Sequence, residues 1–181
     1  MMTEEIIIAG FGGQGVLSMG KILAYAGIMQ DKEVSWMPSY GPEMRGGTAN
    51  VTVIISDGKV SSPILTQFDT AIVLNQQSLE KFEKTIKPGG TLIYDNNGVI
   101  KHPSRKDIKI YCIEAAAEAS RMASSKTFNM IVLGAFLKIK PIVSIENVLN
   151  GLKKSLPPRY HKLIPENESA MRRGMEIVKN I

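Results

Sequence analysis

Cysteine is almost missing from this sequence: Cys112 is the single one in 181 residues. That excludes a disulfide framework, a CxxC redox pair, and any iron–sulfur cluster or structural zinc held by this chain alone. Histidine is nearly as scarce. His102 and His161 stand far apart with no spaced ligand beside either, so no metal site is read from them and both are expected at the surface. No run is long and apolar enough for a membrane span, and the opening MMTEEIIIAGF places acids where a secretory signal needs bases. The expectation is a cytoplasmic protein with no membrane partner and no nucleic acid partner.

What is present fits one globular domain over residues 1–181, with 44% hydrophobic and 22% charged residues. The net charge of +5 is uneven: from Lys153 onward seven Lys or Arg face three Glu. Such a tail favours an anionic partner, or is a solvated basic helix face.

EIIIAG, Glu5 to Gly10, is a continuous apolar run closed by glycine, the pattern of a strand buried on both faces of a parallel sheet. Val16, Leu17, Ile22, Leu23 and Ile28 then recur at helical spacing, and KEVSWM restarts a strand, which makes a βαβ beginning. ANVTVIISDGKVSS alternates and predicts an antiparallel hairpin turning at Asp57-Gly58. TAIVLN, GGTLIYD after a Pro-Gly-Gly turn, and IKIYCIEA read as further strands. SLEKFEKTI reads as a short helix capped by Ser78. From Ala115 the chain is helical, with Ser144 as one cap and Pro165 opening the last helix; SLPPRY is a rigid turn. The fold class is α/β, a Rossmann-like open mixed, mostly parallel sheet with helices on both faces and an antiparallel hairpin excursion.

Gly10-Phe-Gly12-Gly13-Gln14-Gly15 satisfies G-x-G-x-x-G between a strand and a helix, where free N–H groups and the helix dipole favour a pyrophosphate. A nicotinamide enzyme also needs an acid at the end of its second strand for the ribose. VSWMPSYG has none there, which weakens that reading; a plain tight turn is the structural alternative. The second informative stretch, PSYGPEMRGGTAN, is too rich in glycine and proline for either regular element. Arg45 between glycines suits a bidentate grip on phosphate or carboxylate, with Ser39, Tyr40 and Thr48 adding hydroxyls, unless Arg45 pairs with Glu43. Cys112 reads as a buried apolar filler. Trp36, Met37 and Tyr40 read as core packing or as a partner contact.

GFGGQGV, PSYGPEMRGGTANVTV, ISDG and the late Asn129 with Leu133 to Ala135 together resemble the gamma subunit of the 2-oxoacid:ferredoxin oxidoreductases, over nearly the whole chain. The variant looks most like the 2-oxoglutarate or branched-chain members. The resemblance implies a complex that oxidatively decarboxylates a 2-oxoacid to acyl-CoA with reduction of ferredoxin. It places thiamine diphosphate and the iron–sulfur clusters on partner subunits. Asp57-Gly58 followed by Asn96-Asn97 is too widely spaced for a thiamine motif. No cofactor is then bound by this chain alone, and coenzyme A is a shared substrate. Partners are the thiamine-binding and cluster-bearing subunits, ferredoxin through the complex, and a second copy if the chain homodimerises. No catalytic residue is expected here, and the implied coenzyme A contacts are Gly12, Gly13, Gln14, Gly15 and Lys21. Ser39, Arg45 and Thr48 join them from the second loop. Two other readings stay open: a stand-alone NAD(P)-binding enzyme or sensor, and a scaffold whose glycine loop holds no ligand.

Overall fold

The computed structural model describes residues 2–40, 47–122 and 124–181. The apolar run at the start becomes β1 (Thr3–Phe11). Its alternate residues feed two cores: Ile6 and Ile8 point to one face, Ile7 and Ala9 to the other, all essentially without exposure. A strand buried on both sides needs apolar residues at every position, which explains the unbroken run.

Six more strands join it: β2 (Glu33–Tyr40), β3 (Thr48–Ser56), β4 (Phe68–Val73), β5 (Ile86–Asp95), β6 (Lys109–Ile113) and β7 (Lys179–Asn180). The order across the sheet is β2-β3-β1-β4-β5-β6-β7. β1, β4, β5 and β6 are mutually parallel, and β2 shares their direction because it pairs antiparallel with β3, which pairs antiparallel with β1. The sheet is therefore mixed and mostly parallel.

One face is covered by α1 (Val16–Met29), α3 (Ala115–Arg121), α4 (Phe128–Ile139), α5 (Ile145–Ser155) and α6 (Ile164–Ile177). The other carries α2 (Gln76–Phe82) and the 96–108 connection, through Leu79, Phe82, Val99 and Ile108. α4 is apolar around most of its circumference because it lies inside this layer, with α6 packed on it. The two backbones meet where Gly134 faces the Met171 carbonyl and Gly174 faces the Ile131 carbonyl; a Cβ at either glycine would overlap that oxygen. Among the described residues, no helix is long and apolar enough to cross a membrane.

Several expectations are corrected. No hairpin forms at Asp57-Gly58: β3 ends at Ser56, and its antiparallel partners are the preceding β1 and β2. The Asp57 carboxylate instead accepts from Met2 N and from Lys32 Nζ, which ties the strand end to the start of the chain. The opening βαβ is not a pair of neighbours, since β3 lies between β1 and β2. Pro38 to Tyr40 and Thr48 to Asn50 are strand rather than irregular, zipped by the β2–β3 ladder. Lys87 to Gly90 lies within β5, where the pairing register with β4 shifts, instead of forming a turn before it. Asn75, not Ser78, caps α2, its Oδ1 accepting from Ser78 N at 2.8 Å. SLPPRY leads into a 3₁₀ segment at Pro158–Leu163. Ser144 does cap α5, accepting from Asn147 N at 3.1 Å, and Pro165 does stand in the first turn of α6.

Candidate functional site

The connection leaving β1 runs through α1 toward β2 on one side, and that leaving β4 runs through α2 toward β5 on the other. The carboxyl ends of β1 and β4 therefore flank the point where the winding reverses, the crevice in which open α/β sheets take ligands. The glycine loop sits there.

Gly13 and Gly15 have φ of 96° and 76°, left-handed values that cost a side-chain-bearing residue strain. Gly15 is the N-cap of α1, with no side-chain cap bond and no acid in the first turn. The leading N–H groups of a fourteen-residue helix are thus left to an incoming acceptor, at the positive end of its dipole. Gln14 braces the loop: its Oε1 accepts from Phe11 N at 2.7 Å and its Nε2 donates to Leu74 O at 3.5 Å, just past the end of β4. Gly12 N donates to Gly47 O at 2.8 Å, so the second glycine-rich stretch returns to the first.

Gly13, Gln14 and Gly15 line a cleft of about 500 Å³ together with Ala116, Ala119, Ser120, Lys126, Phe128 and Asn129. Asn129 packs against Gly15 so closely that a Cβ there would lie 2.6 Å from its Nδ2. Lys126 and Asn129 also line a second groove of about 740 Å³, between α1, α4, α5 and the 158–163 segment. Lys21 lines the second groove, with Ser18, Tyr160, Glu166 and Asn167. Neither Lys21 nor Lys126 has an ion-pair partner among the described residues, whereas Arg105, Arg121, Arg172 and Arg173 all do.

Beside the cleft, Asp95 is buried at the end of β5 and its Oδ1 accepts from Ala115 N at 2.9 Å, closing the start of α3. Burial pushes its carboxyl above the usual range, against the backbone N–H groups of Ala116, Ala115 and Gly98 that favour the charged form. Its hydrogen bonds assign it to structure.

The sequence-derived site residues divide. The structure brings Gly13, Gln14 and Gly15 to the cleft and Lys21 to the groove, with Gly12 at the loop's start. Thr48 pairs with Phe11 beside the loop, while Ser39 pairs with Asn50, itself opposite Ala9, about 10 Å off across two strand spacings. Arg45 lies outside the described residues. Lys126 was missed because nothing in chain order ties it to a loop more than a hundred residues earlier, and Asn129 carried only the resemblance. Cys112 is half-buried rather than buried, and burial holds its thiol pKa up. His161 is half-buried too, its Nε2 at 3.0 Å from both Lys153 O and Leu156 O; His102 is exposed as expected. Trp36 lies against Gly20 of α1 but stays 39% exposed, so it is only partly core. Among the described residues no group of His, Cys, Asp and Glu could hold a metal ion.

The model of the family described as pyruvate ferredoxin/flavodoxin oxidoreductase matches residues 5–177. The chain is 33% identical over 183 residues to 2-oxoglutarate synthase subunit KorC of Methanocaldococcus jannaschii, covering 99% of this chain and 96% of that one. It is 38% identical over 135 residues, 75% of its length, to ketoisovalerate oxidoreductase subunit VorA of Methanothermobacter thermautotrophicus, but spans only 28% of that longer protein. Among solved structures, the keto/oxoacid ferredoxin oxidoreductase gamma subunit of Geobacter sulfurreducens matches with a TM-score of 0.80 and 30% identity over 96% of both chains. The 2-oxoglutarate:ferredoxin oxidoreductase of Magnetococcus marinus, with 2-oxoglutarate, coenzyme A and succinyl-CoA bound, matches with a TM-score of 0.87 and 26% identity. That match covers 97% of this chain and 31% of the other.

Proposed function

The chain belongs to the pyruvate ferredoxin/flavodoxin oxidoreductase family, and on that footing we propose that it is the gamma subunit of a cytoplasmic 2-oxoacid:ferredoxin oxidoreductase. The complex converts a 2-oxoacid and coenzyme A to acyl-CoA and carbon dioxide, passing two electrons to ferredoxin. A substrate of the 2-oxoglutarate or branched-chain type is favoured by the likeness to KorC and VorA.

Thiamine diphosphate would supply the decarboxylation and iron–sulfur clusters the electron path, both on partner subunits. A single cysteine in the sequence is too few thiolates for this chain to ligate an iron–sulfur cluster by itself. Its own contribution is to enclose coenzyme A. The observation that carries this reading is the open N-terminus of α1 behind Gly13 and Gly15, at a cleft that Lys126 also lines. A pyrophosphate there accepts from the loop and first-turn N–H groups, and Gln14 keeps the loop in shape. Gly12, Lys21, Thr48 and Arg45 belong to the same proposed surround. A nicotinamide dinucleotide fits less well, because the strand beside β1 on the α1 side is the antiparallel β3 and not a second parallel strand ending in an acid.

Calorimetric titration of the chain with coenzyme A, NADH and NADPH, together with turnover assays on the chain and on the reassembled complex, tests the proposal. Coenzyme A binding without turnover by the chain alone, and turnover after reassembly, is expected. Tight dinucleotide binding with indifference to coenzyme A, or oxidation of a 2-oxoacid by the chain alone, would overturn it.

A further inference from the structure

The two edges of the sheet are finished differently. β7 ends one edge with two residues, one of them Lys179, a short and charged ending of the kind that discourages further pairing. β2 forms the other edge over eight residues, Glu33–Tyr40, without a lysine, an arginine or a register shift against β3. Its outward positions follow from the ladder, in which successive residues aim their N–H and C=O groups to alternate sides. Leu74 N donates to Ala9 O, which turns Ala9 toward β4 and Ile8 toward β3. Val51 opposite Ile8 faces back to β1, so Thr52 and its partner Met37 face each other. Val34, Trp36 and Pro38 then aim their backbone groups away from the sheet, and Pro38, with no N–H to offer, suits such a position.

Apolar side chains gather along this edge. Trp36 lies against Gly20 of α1 and stays 39% exposed, and Ile28 is 57% exposed. α5 meets α1 through Gly151 at Ile22, Tyr25 and Ala26. At about 3.6 residues per turn, Leu17, Ala24 and Ile28 share a different flank, next to Gly20 and Gly27, the glycines that face Trp36 and Val34. Lys21 borders that flank but leans away from it, its ammonium 5.9 Å from the centre of the Tyr25 ring.

We infer that β2 pairs with β2 of a second copy of this chain, antiparallel across a two-fold axis at Trp36. The pairing joins two sheets into one and lays the two α1 helices side by side above the seam. It is independent of the coenzyme A reading. The edge is complementary to itself about that residue: Trp36 meets Trp36 of the second copy, and the two exchange both backbone hydrogen bonds. Val34 N donates to Pro38 O of the second copy, and the same bond forms in reverse, so the donor that Pro38 lacks leaves only the Val34 carbonyl to water. Glu33 falls opposite Ser39 of the second copy, so no like charges are opposed. The seam of eight residues is about 27 Å long, and the facing α1 flanks deepen it toward the roughly 800 Å² per partner of a stable interface. A strand from an unrelated chain would need none of this symmetry.

The test is the oligomeric state of the full chain by sedimentation equilibrium, with W36K and I28K compared and unfolding midpoints recorded alongside. A dimer is expected. Its dissociation constant should rise at least about thirtyfold in W36K, where like charges meet on the axis, and less in I28K. If W36K does not fold, weakening of the dimer by I28K at an exposed position decides alone. In a Cys112→Ser background, Trp36→Cys should form an intermolecular disulfide on mild oxidation, since a hydrogen-bonded antiparallel pair sets its Cα atoms about 5.5 Å apart. Glu33→Cys, about 20 Å from its own copy in this register, should not. A monomer at every concentration would overturn the inference, as would a dimer that neither lysine weakens or one that cross-links through position 33 and not 36. A monomeric chain whose W36K variant no longer joins the reassembled complex would overturn it too, and would give the edge to a partner subunit.

Discussion

The two ends of the parallel strands are built on opposite plans. At the amino ends of the central strands β1, β4 and β5 the charges are paired: Glu4 accepts from Thr70 Oγ1 and from Lys140 Nζ at 3.3 Å, and Lys87 bridges Glu5 and Asp69. At the carboxyl ends the chain instead offers left-handed glycines, uncapped helix N–H groups and, nearby, Lys21 and Lys126, which have no ion-pair partner among the described residues. Charges satisfied within the chain hold strands in register. Charges and dipoles left over are available to a ligand. The same sheet thus carries a closed end and an open end, and the proposed coenzyme A contact lies at the open one.

The sharpest way to break that division is to disturb the closed end and look for a loss of binding. Glu4→Ala should destabilise the fold by about 2–3 kcal/mol, because Lys140 and Thr70 lose a shared, largely buried acceptor. Urea unfolding should report that loss, while coenzyme A affinity of the folded fraction stays within twofold. At the open end the pattern should invert. Arg45→Ala, in the glycine-rich stretch between β2 and β3, should cost roughly 1.5–3 kcal/mol of a charge-assisted contact. It would be read as a raised apparent KM for coenzyme A in the reassembled complex with little change in unfolding. Lysine at that position should rescue poorly, for want of the planar fork.

How far these two ends could be told apart from the sequence alone differs between them. The open end was legible because glycines at left-handed positions and a strand-to-helix junction are local features, encoded within six residues. Most strands and helices were legible for the same reason: their periodicities are local. The closed end was not legible, since Glu4 meets Lys140 across 136 positions and Lys87 meets Glu5 across 82. The insertion of β3 between β1 and β2 was equally hidden, because alternation in TANVTVIIS shows that a strand forms without showing where it pairs. The Asp57-Gly58 turn misled because its chemistry suits a hairpin, but its carboxylate was needed by Met2 and Lys32. Lys126 comes beside the glycine loop only through the packing of α1 against the segment before α4, more than a hundred positions along the chain.

Gly15→Ala probes the junction of the two plans, because one substitution affects both backbone and cleft. A methyl at φ 76° and 2.6 Å from Asn129 Nδ2 should cost on the order of 1–2 kcal/mol of stability. It should lower coenzyme A affinity more than Glu4→Ala does, despite the smaller effect on unfolding. The smallest effect belongs to the Lys87 bridge. Burial disfavours its ammonium, but the hydrogen bonds and charges of Asp69 and Glu5 together outweigh that and raise its pKa. A raised lysine pKa gives stability that is complete below the unfolded value, about 10.4, and lost as pH climbs through the folded one. Unfolding midpoints should therefore fall above pH 10 by an increment that Lys87→Met removes, under about 1 kcal/mol for a partly exposed pair.

The most direct test of the division itself is amide hydrogen exchange on the full chain with and without saturating coenzyme A. Protection is expected at residues 12–18 and 124–130, on the glycine loop, the first turn of α1 and the approach to α4, with residues 3–6, 68–71 and 86–88 unchanged. Protection confined to the amino ends of the strands, or none at the glycine loop while coenzyme A is demonstrably bound, would contradict the assignment of binding to the open end.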